Sequence, residues 1–572
     1  MNAQTDTGKS ENTNPALLGD EAAALGAIHS GLSAAYGYPG TPSTEIMEYL
    51  IDQSKKVENL TAQWCTNEKT AMEAALGASF AGRRSLVTMK HVGLNVASDP
   101  FINSALLEIH GGLVVAVADD PGMHSSQGEQ DSRFYASFAM IPCLEPRNQQ
   151  EAYDMCREAF NVSEKFGVPV MLRLATRLSH ARASVRTSAP EKQNPLSKVK
   201  DKTRWMLLPA YARRNYADLV KKQITINEWS QNFSGKNLEL EGRDCDFAVI
   251  TSGLGGNYYD ENLEDLAAQG SKIPARLHIS SYPLPVKSIQ KLCENRKKVL
   301  VIEEGQPFIE ERLTGILQQN IKISGKLDNT MVRTGELDPD NVRAGLGLAP
   351  RPCILDSGLK IPQLPGRPPQ LCQGCPHGDS YNCINRAVEE LDPSAGNGPA
   401  DHLHTAVCSD IGCYSLGASP PYSAIESIVC MGASVGMARG AADAGIKYAL
   451  AVIGDSTFLH SGITGMIDAV MADVPMTIII LDNSCVAMTG CQPTIVPSDH
   501  LRNLVLGAGV KPEHLIELEA KQLNLEENTL KLKKEMEYRG LSVVIFRREC
   551  LELFRKQRTA AANTAEKTGV KI

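Results

Sequence analysis

No apolar run in this chain is long enough to cross a membrane. The longest, at residues 113–118 and 475–481, fall far short of the ~18 residues that a spanning helix needs. Basic charge is not in excess either. Against 66 Asp and Glu stand 58 Lys and Arg, a net charge of −8, which offers no general attraction for phosphate backbones and disfavours a nucleic-acid partner. The first fifteen residues lack the basic start and apolar middle of an export leader, so the expected compartment is the cytoplasm. Fifteen cysteines, an odd number in a chain without such a leader, read against a disulfide framework and towards free or metal-ligating thiols. No repeat of fixed period occurs.

The 572 residues are 42% hydrophobic and 22% charged, which excludes a disordered chain and supplies several cores. At about 100 to 200 residues per domain, three or four domains are expected. Between residues 17 and 187, strand-like runs at 34–38, 85–89, 112–118 and 168–173 alternate with helical patterns such as 20–29 and 68–81. That alternation predicts an α/β unit whose parallel sheet is covered by helices. Residues 188–243, frequent in Pro, Lys and Arg, read as a linker or extended arm. A second strand-and-helix unit spans 244–350, with apolar runs at 247–250 and 299–302, and the Pro-rich stretch 351–370 reads as a boundary. A third α/β unit covers 371–555, with fully buried strands at 448–453 and 476–481. The ends, 1–16 and 556–572, read as flexible.

The sharpest chemical signal is Gly454-Asp455-Ser456, directly after one strand, with Asn483 at the end of the next. Two oxygen donors thus meet at the carboxyl edge of a parallel sheet, where open α/β sheets bind ligands. Completed by a main-chain carbonyl and diphosphate oxygens, such a set suits Mg²⁺, and the spacing is that of a thiamine diphosphate site. Taken alone, the tripeptide reads equally well as a strand-to-helix turn with Asp as cap. Thiamine chemistry also needs a carboxylate against the aminopyrimidine ring, in a dry site that raises its pKa. Glu68, at the start of a helical pattern after residues 60–64, is the candidate. Its plainer reading is an exposed acid favoured by the helix dipole, worth ~0.3 to 1 kcal/mol. Ten cysteines lie between Cys353 and Cys550, and Cys372 and Cys375 have the CxxC spacing that brings two thiolates to one metal or cluster.

Nine segments, in order, carry a family resemblance: 37–46 (GYPGTPSTEI), 67–82, 87–100, 117–133, 372–378 (CQGCPHG), 409–417, 431–440, 454–466 and 481–494 (LDNSCVAMTGCQPT). In these the chain resembles the large, thiamine diphosphate-binding subunit of the indolepyruvate ferredoxin oxidoreductases, within the 2-oxoacid:ferredoxin oxidoreductase family. The resemblance implies a pyrimidine-binding domain at 17–187, a transketolase C-terminal-like domain at 244–350 and a diphosphate-binding domain at 371–555. Carried over by position, it implies that Glu68 activates the cofactor and that Asp455, Asn483 and the Cys485 carbonyl hold Mg²⁺. Thr41 would sit near the substrate carboxylate, with Lys90, His91, His124 and Arg133 lining the site; for Lys90 and Arg133 a surface charge is the alternative. His377, Gly412, Gly432, Gly454, Ser456, Met488 and Thr489 lie in matching segments as cofactor-binding positions.

The resemblance further implies a [4Fe-4S] cluster on Cys372, Cys375, Cys413 and Cys550. A zinc site would use the same ligands, but electrons from decarboxylation must pass singly to a ferredoxin-type acceptor, which favours the cluster. Cys383, Cys408, Cys430 and Cys491 are expected to be ordinary buried residues. The family's large subunit usually continues into a ferredoxin-like module, and this sequence has no such cysteine run after Cys550. The expected partners are therefore a ferredoxin or ferredoxin-like subunit and a smaller β subunit, around a homodimer of this chain inside a heteromer. The implied reaction is oxidative decarboxylation of an aryl 2-oxo acid, of the indolepyruvate or phenylpyruvate type, with coenzyme A to acyl-CoA and CO₂. A non-oxidative thiamine-dependent decarboxylase or lyase, and a non-catalytic subunit of an electron-transfer complex, remain the alternatives.

Overall fold

Long apolar runs become central strands because helices cover both of their faces, leaving no water-facing side to require alternation. A computed structural model describes residues 14–240, 246–268, 273–317, 321–352, 366, 369–393 and 404–568, with side chains to residue 559. The stretches expected to be flexible or linking at 1–13, 353–365 and 569–572, and Cys353 with them, lie outside the described residues. The chain divides into two compact units, 1–361 and 362–572.

The first unit holds two large sheets. One has seven strands in the spatial order Ser281–Tyr282, Cys143–Leu144, Val170–Ala175, Leu113–Asp119, Ser85–Lys90, Ala34–Gly37 and Thr61–Trp64. All pair in parallel except the first two. Its three central strands, Val170–Ala175, Leu113–Asp119 and Ser85–Lys90, are buried along their whole length. The expected α/β layering is therefore present. The other sheet runs Lys322–Ser324, Lys298–Ile302, Phe247–Ser252, Ala275–Ile279 and Leu238–Glu239. Because Ser281–Tyr282 leaves this second segment to pair with Cys143–Leu144, segments 17–187 and 244–350 share one compact unit.

The second unit is built on six parallel strands: Ser427–Ile428, Thr405–Ser409, Tyr448–Gly454, Met476–Asp482, Ser542–Arg547 and Leu515–Glu519. Gly454 lies opposite Leu481 in the register, so Asp455 and Asn483 leave adjacent strands at the same edge.

Two stretches differ from the sequence expectation. Within the arm expected at 188–243 lies a helix of 27 residues, Pro209–Gly235, opened by a proline at its start where the missing N–H costs nothing. Its apolar buried positions, Leu219, Ile226 and Trp229, form too narrow a stripe to stand out among the Lys, Arg and Gln around them. The tail expected to be flexible from 556 continues a helix, Leu551–Thr568. Among the described residues no helix is long and apolar enough to cross a membrane.

Arg133 requires a correction of role. Fully buried, it donates to Asp131, to the carbonyls of Glu304 and Gln306 at 2.8 and 3.0 Å, and to the Tyr282 hydroxyl at 3.2 Å, and pairs with Glu303 at 2.9 Å. Arg173 extends the network to Asp119 at 2.7 Å and to Glu145. Residues from both segments of the unit thus share one desolvated ion cluster, and Arg133 ties them together rather than standing free for a substrate. Breaking such a cluster leaves buried carboxylates without a partner. Arg133→Met should therefore destabilise the first unit by about 3 to 5 kcal/mol, read as a lowered thermal midpoint.

Candidate active site

In the second unit the loops after the strands Tyr448–Gly454 and Met476–Asp482 are shaped by close packing. Asp455 is buried, its Oδ1 accepting the Ser456 N–H at 2.7 Å and its Oδ2 the Ser484 N–H at 3.0 Å. Burial and the neighbouring Asp482 carboxylate push Asp455 well above the usual carboxylate range. A cation among these oxygens would reverse that, and the donor set, a carboxylate with the Asn483 amide and main-chain carbonyls, suits Mg²⁺. The Asn483 Nδ2 donates to His377 Nε2 at 3.1 Å, and burial holds His377 down to about 4, so it accepts as a neutral ring.

The phosphate side has a cradle. Gly432 caps the helix Ala433–Asp443 at φ 85°, and a Cβ there would lie 2.6 Å from that of Ser461. Side chains at Gly412 and Gly454 would both collide with the Tyr414 ring. The start of that helix is pinned by Asp410, which accepts the Ser434 hydroxyl at 2.6 Å and also the Tyr414 hydroxyl. The buried Ser456 Oγ has no partner within the protein. A half-buried helix N-terminus behind Gly432, and an unsatisfied hydroxyl on the loop that follows Gly454, suit a diphosphate. Of the two remaining cofactor-binding expectations, Thr489 donates to Gln492 at 2.6 Å, and Met488 is exposed.

Beside the metal loops, Cys372, Cys375, Cys413 and Cys550 line one cavity of about 110 Å³ together with His377 and Asn483. The Cys550 N–H donates to the Asn483 carbonyl at 3.1 Å, so the last cysteine is bonded directly to the Asn483 loop. Burial and the neighbouring thiols push Cys413 up to about 12. Four thiols crowded into one pocket make a site that a cationic centre would stabilise. An overlapping threesome, Cys485, Cys491 and Cys550, has its Sγ atoms within 4.8 Å of one another. Hydrogen bonding from Cys485 holds Cys550 down to about 5, and Cys491 adds to it.

The first unit carries the acid and a basic edge. Asn67 caps the helix Glu68–Phe80, accepting the Thr70 N–H at 2.8 Å, and this fixes Glu68 in the first turn. Glu68 is only 5% exposed, with its carboxylate against Gly93, where a Cβ would collide with it. The exposed-acid reading is thereby excluded. Lys90, at the end of its strand, donates to the Ser125 carbonyl at 2.8 Å and hydroxyl at 3.0 Å, with Asp120 at 3.9 Å. The Ser125 hydroxyl in turn donates to the Thr41 carbonyl at 3.2 Å, which links Lys90 to the Pro-Gly-Thr loop. Burial lowers Lys90 to about 8. His91 is buried, with Nε2 3.1 Å from the Gly128 carbonyl and Nδ1 without a partner. Ser125 links Thr41 and Lys90, while His91 turns to Gly128; His124 is exposed beside Glu336 at 3.3 Å, and Arg133 lies in the ion cluster described above.

Comparison with known proteins decides the family. A family model described as pyruvate flavodoxin/ferredoxin oxidoreductase, thiamine diphosphate-binding, matches residues 25–231, and the C-terminal domain of thiamine pyrophosphate enzymes matches 410–514. The indolepyruvate oxidoreductase subunit IorA of Archaeoglobus fulgidus is 37% identical over 95% of this chain and 87% of its own length. That of Methanothermobacter thermautotrophicus is 36% identical over 94% and 86%. The chain belongs to the IorA family. A solved 2-oxoglutarate:ferredoxin oxidoreductase from Magnetococcus marinus is similar at 20% identity over 60% of this chain and 66% of its own, with a TM-score of 0.49.

As an IorA-family member the chain is the large subunit of a multi-subunit oxidoreductase, with thiamine diphosphate chemistry on 2-oxo acids. Of the four cysteines expected to be ordinary buried residues, two are so and two are not. Cys383 and Cys408 are buried as expected, Cys430 is exposed, and Cys491 is half-buried in the thiol threesome. Ser125 and Asp120, which hold the Lys90 ammonium, were not identifiable as site residues, because only the parallel register of two strand ends brings them to Lys90. Cys491 had a visible signal in its spacing, six residues after Cys485 in one loop.

Proposed function

We propose that this chain carries out oxidative decarboxylation of an aryl 2-oxo acid, of the indolepyruvate or phenylpyruvate type, with coenzyme A. The products are the acyl-CoA, CO₂ and two electrons, passed singly through a [4Fe-4S] cluster to a ferredoxin or ferredoxin-like subunit. When bound, thiamine diphosphate supplies the nucleophile that releases CO₂, and the cluster supplies a one-electron acceptor. Asp455, Asn483 and the Cys485 carbonyl hold Mg²⁺; Gly432 and Ser456 receive the diphosphate; Glu68 holds and returns a proton at its carboxylate. The Lys90 ammonium, beside Thr41, orients the substrate carboxylate. A smaller β subunit and a second copy of this chain complete the assembly.

The observation that carries the proposal is the cavity where four cysteines meet the metal-loop residue Asn483 and its partner His377. Among the described residues the cysteine threesome tight enough for one ion is a different set, Cys485, Cys491 and Cys550, which shares only Cys550 with the cavity. The wider four-cysteine set suits an inorganic centre whose sulfur ligands each bind a different iron. Anaerobic purification followed by metal, acid-labile sulfide and thiamine analysis tests the reading. About four irons and four sulfides per chain with bound thiamine are expected. Zinc without sulfide, or aldehyde release that needs no electron acceptor, would remove the oxidative reaction.

Lys90 gives the activity a pH signature. With its ammonium lowered to about 8, the charged form is lost as pH rises through that value. KM for the 2-oxo acid should therefore rise above about pH 8, while the Lys90→Met variant shows a high KM with no inflection there. Steady-state kinetics from pH 6 to 10 measure both.

A further inference from the structure

The thiols of Cys485 and Cys491 have no part in the ligand sets proposed above, yet both crowd Cys550. They occupy a small hairpin in which Cys485–Val486 pairs antiparallel with Gln492–Pro493. The Cys491 N–H donates to the Val486 carbonyl at 3.0 Å, and Lys556 of the helix after Cys550 donates to the Gly490 carbonyl. The hairpin is thus closed on itself by the first bond and tied to the segment after Cys550 by the second. Cys491 holds φ 61°, in the left-handed region that non-glycine residues rarely occupy, directly after Gly490 at φ 124°. Such a conformation is costly and persists only where the surroundings enforce it. Here it turns the thiol towards Cys550, with all three Sγ atoms within 4.8 Å.

We infer that the thiols of Cys485 and Cys491 donate hydrogen bonds to the Cys550 sulfur and so raise the reduction potential of the cluster that Cys550 ligates. This rests on the four-cysteine ligand set proposed above. A reduced cluster carries one more negative charge than an oxidised one, and donors aimed at a ligand sulfur stabilise that extra charge. Neither thiol needs to leave its proton, since S–H is itself a donor. Both act through Cys550 as positioning residues, making the cluster a readier acceptor for the first electron. Cys550 cannot serve the threesome as a ligand to a single ion while it holds iron, so donation is the role left for its two neighbours in the loaded protein.

The test is an EPR-monitored redox titration of the anaerobically purified full chain, with iron and sulfide counted in each variant. Cys491→Ala and Cys485→Ala should each lower the midpoint. A tenfold shift in the reduced-to-oxidised ratio corresponds to about 59 mV for one electron. Cys491→Ser and Cys485→Ser, which restore an O–H donor of similar size, should recover most of the shift. Midpoints of both alanine variants equal to the parent overturn the inference. So does loss of iron from Cys491→Ala with iron retained in Cys550→Ala, because Cys491 would then be the ligand. The underlying ligand set fails separately: the parent itself would hold no sulfide.

Discussion

Glu68→Gln should cut turnover by about 10²- to 10⁴-fold, the usual worth of a positioned acid–base group, while thiamine diphosphate stays bound. Gln fills the same volume and keeps the helix start, so binding by the diphosphate loops at Asp455 and Gly432 is unaffected. Two magnitudes separate the catalytic role from a structural one. If Glu68 served only the helix dipole, its loss would cost ~0.3 to 1 kcal/mol of stability and nothing in rate. The expected rate loss corresponds to about 2.7 to 5.5 kcal/mol in the barrier. Burial of the carboxylate against Gly93 is the structural reason to expect the larger effect. Glu73, on the same helix but exposed and paired with Lys69, serves as the control, and Glu73→Gln should leave turnover unchanged. Single-turnover decarboxylation, with bound thiamine measured by fluorescence after release, gives both readouts. Full activity in Glu68→Gln would return the residue to its role as a helix-terminal charge.

What could be read in advance, and what could not, follows from range. The central strands at 85–90, 113–119, 448–454 and 476–482 were legible because a strand buried on both faces is an uninterrupted apolar run, a property of a few consecutive residues. Asp455 and Asn483 were legible for a related reason: each directly follows such a strand, and parallel pairing places both at one edge. The helix Pro209–Gly235 was hidden because it buries little, and its charged majority resembles an arm. Arg133 was misjudged because its partners, Glu303 and Tyr282, lie about 150 or more residues away in the sequence, and no local pattern announces a buried ion cluster. Cys491 was misjudged by a general rule, the tendency of free cysteines to be core, which its left-handed backbone and hairpin position override.

Cys413→Ala should abolish acceptor reduction and take the iron content from about four per chain to near zero. Among the four cavity cysteines, Cys413 is the most informative to remove. Cys550 has its thiol among those of Cys485 and Cys491, so its replacement also disturbs that hairpin. Cys372 and Cys375 flank the start of the helix Pro376–Leu391, which carries His377 to Asn483. Cys413 instead opens a short turn, Cys413–Ala418, whose packing depends on Tyr414 and not on the thiol. The alanine variant should therefore keep its fold and its bound thiamine diphosphate, so that a lost function reports a lost ligand. Removing one of four thiolates leaves an iron corner open to water, and such clusters fall apart in air, so purification must be anaerobic throughout. With no one-electron acceptor beside the site, a 2-oxo acid can still lose CO₂, and the remaining product is the aldehyde. The signature to look for is thus a change of product, with viologen dye no longer reduced while slow aldehyde formation persists. Unaltered dye reduction by an iron-free Cys413→Ala protein would show that electrons leave by another route and would overturn the cluster's place in the reaction.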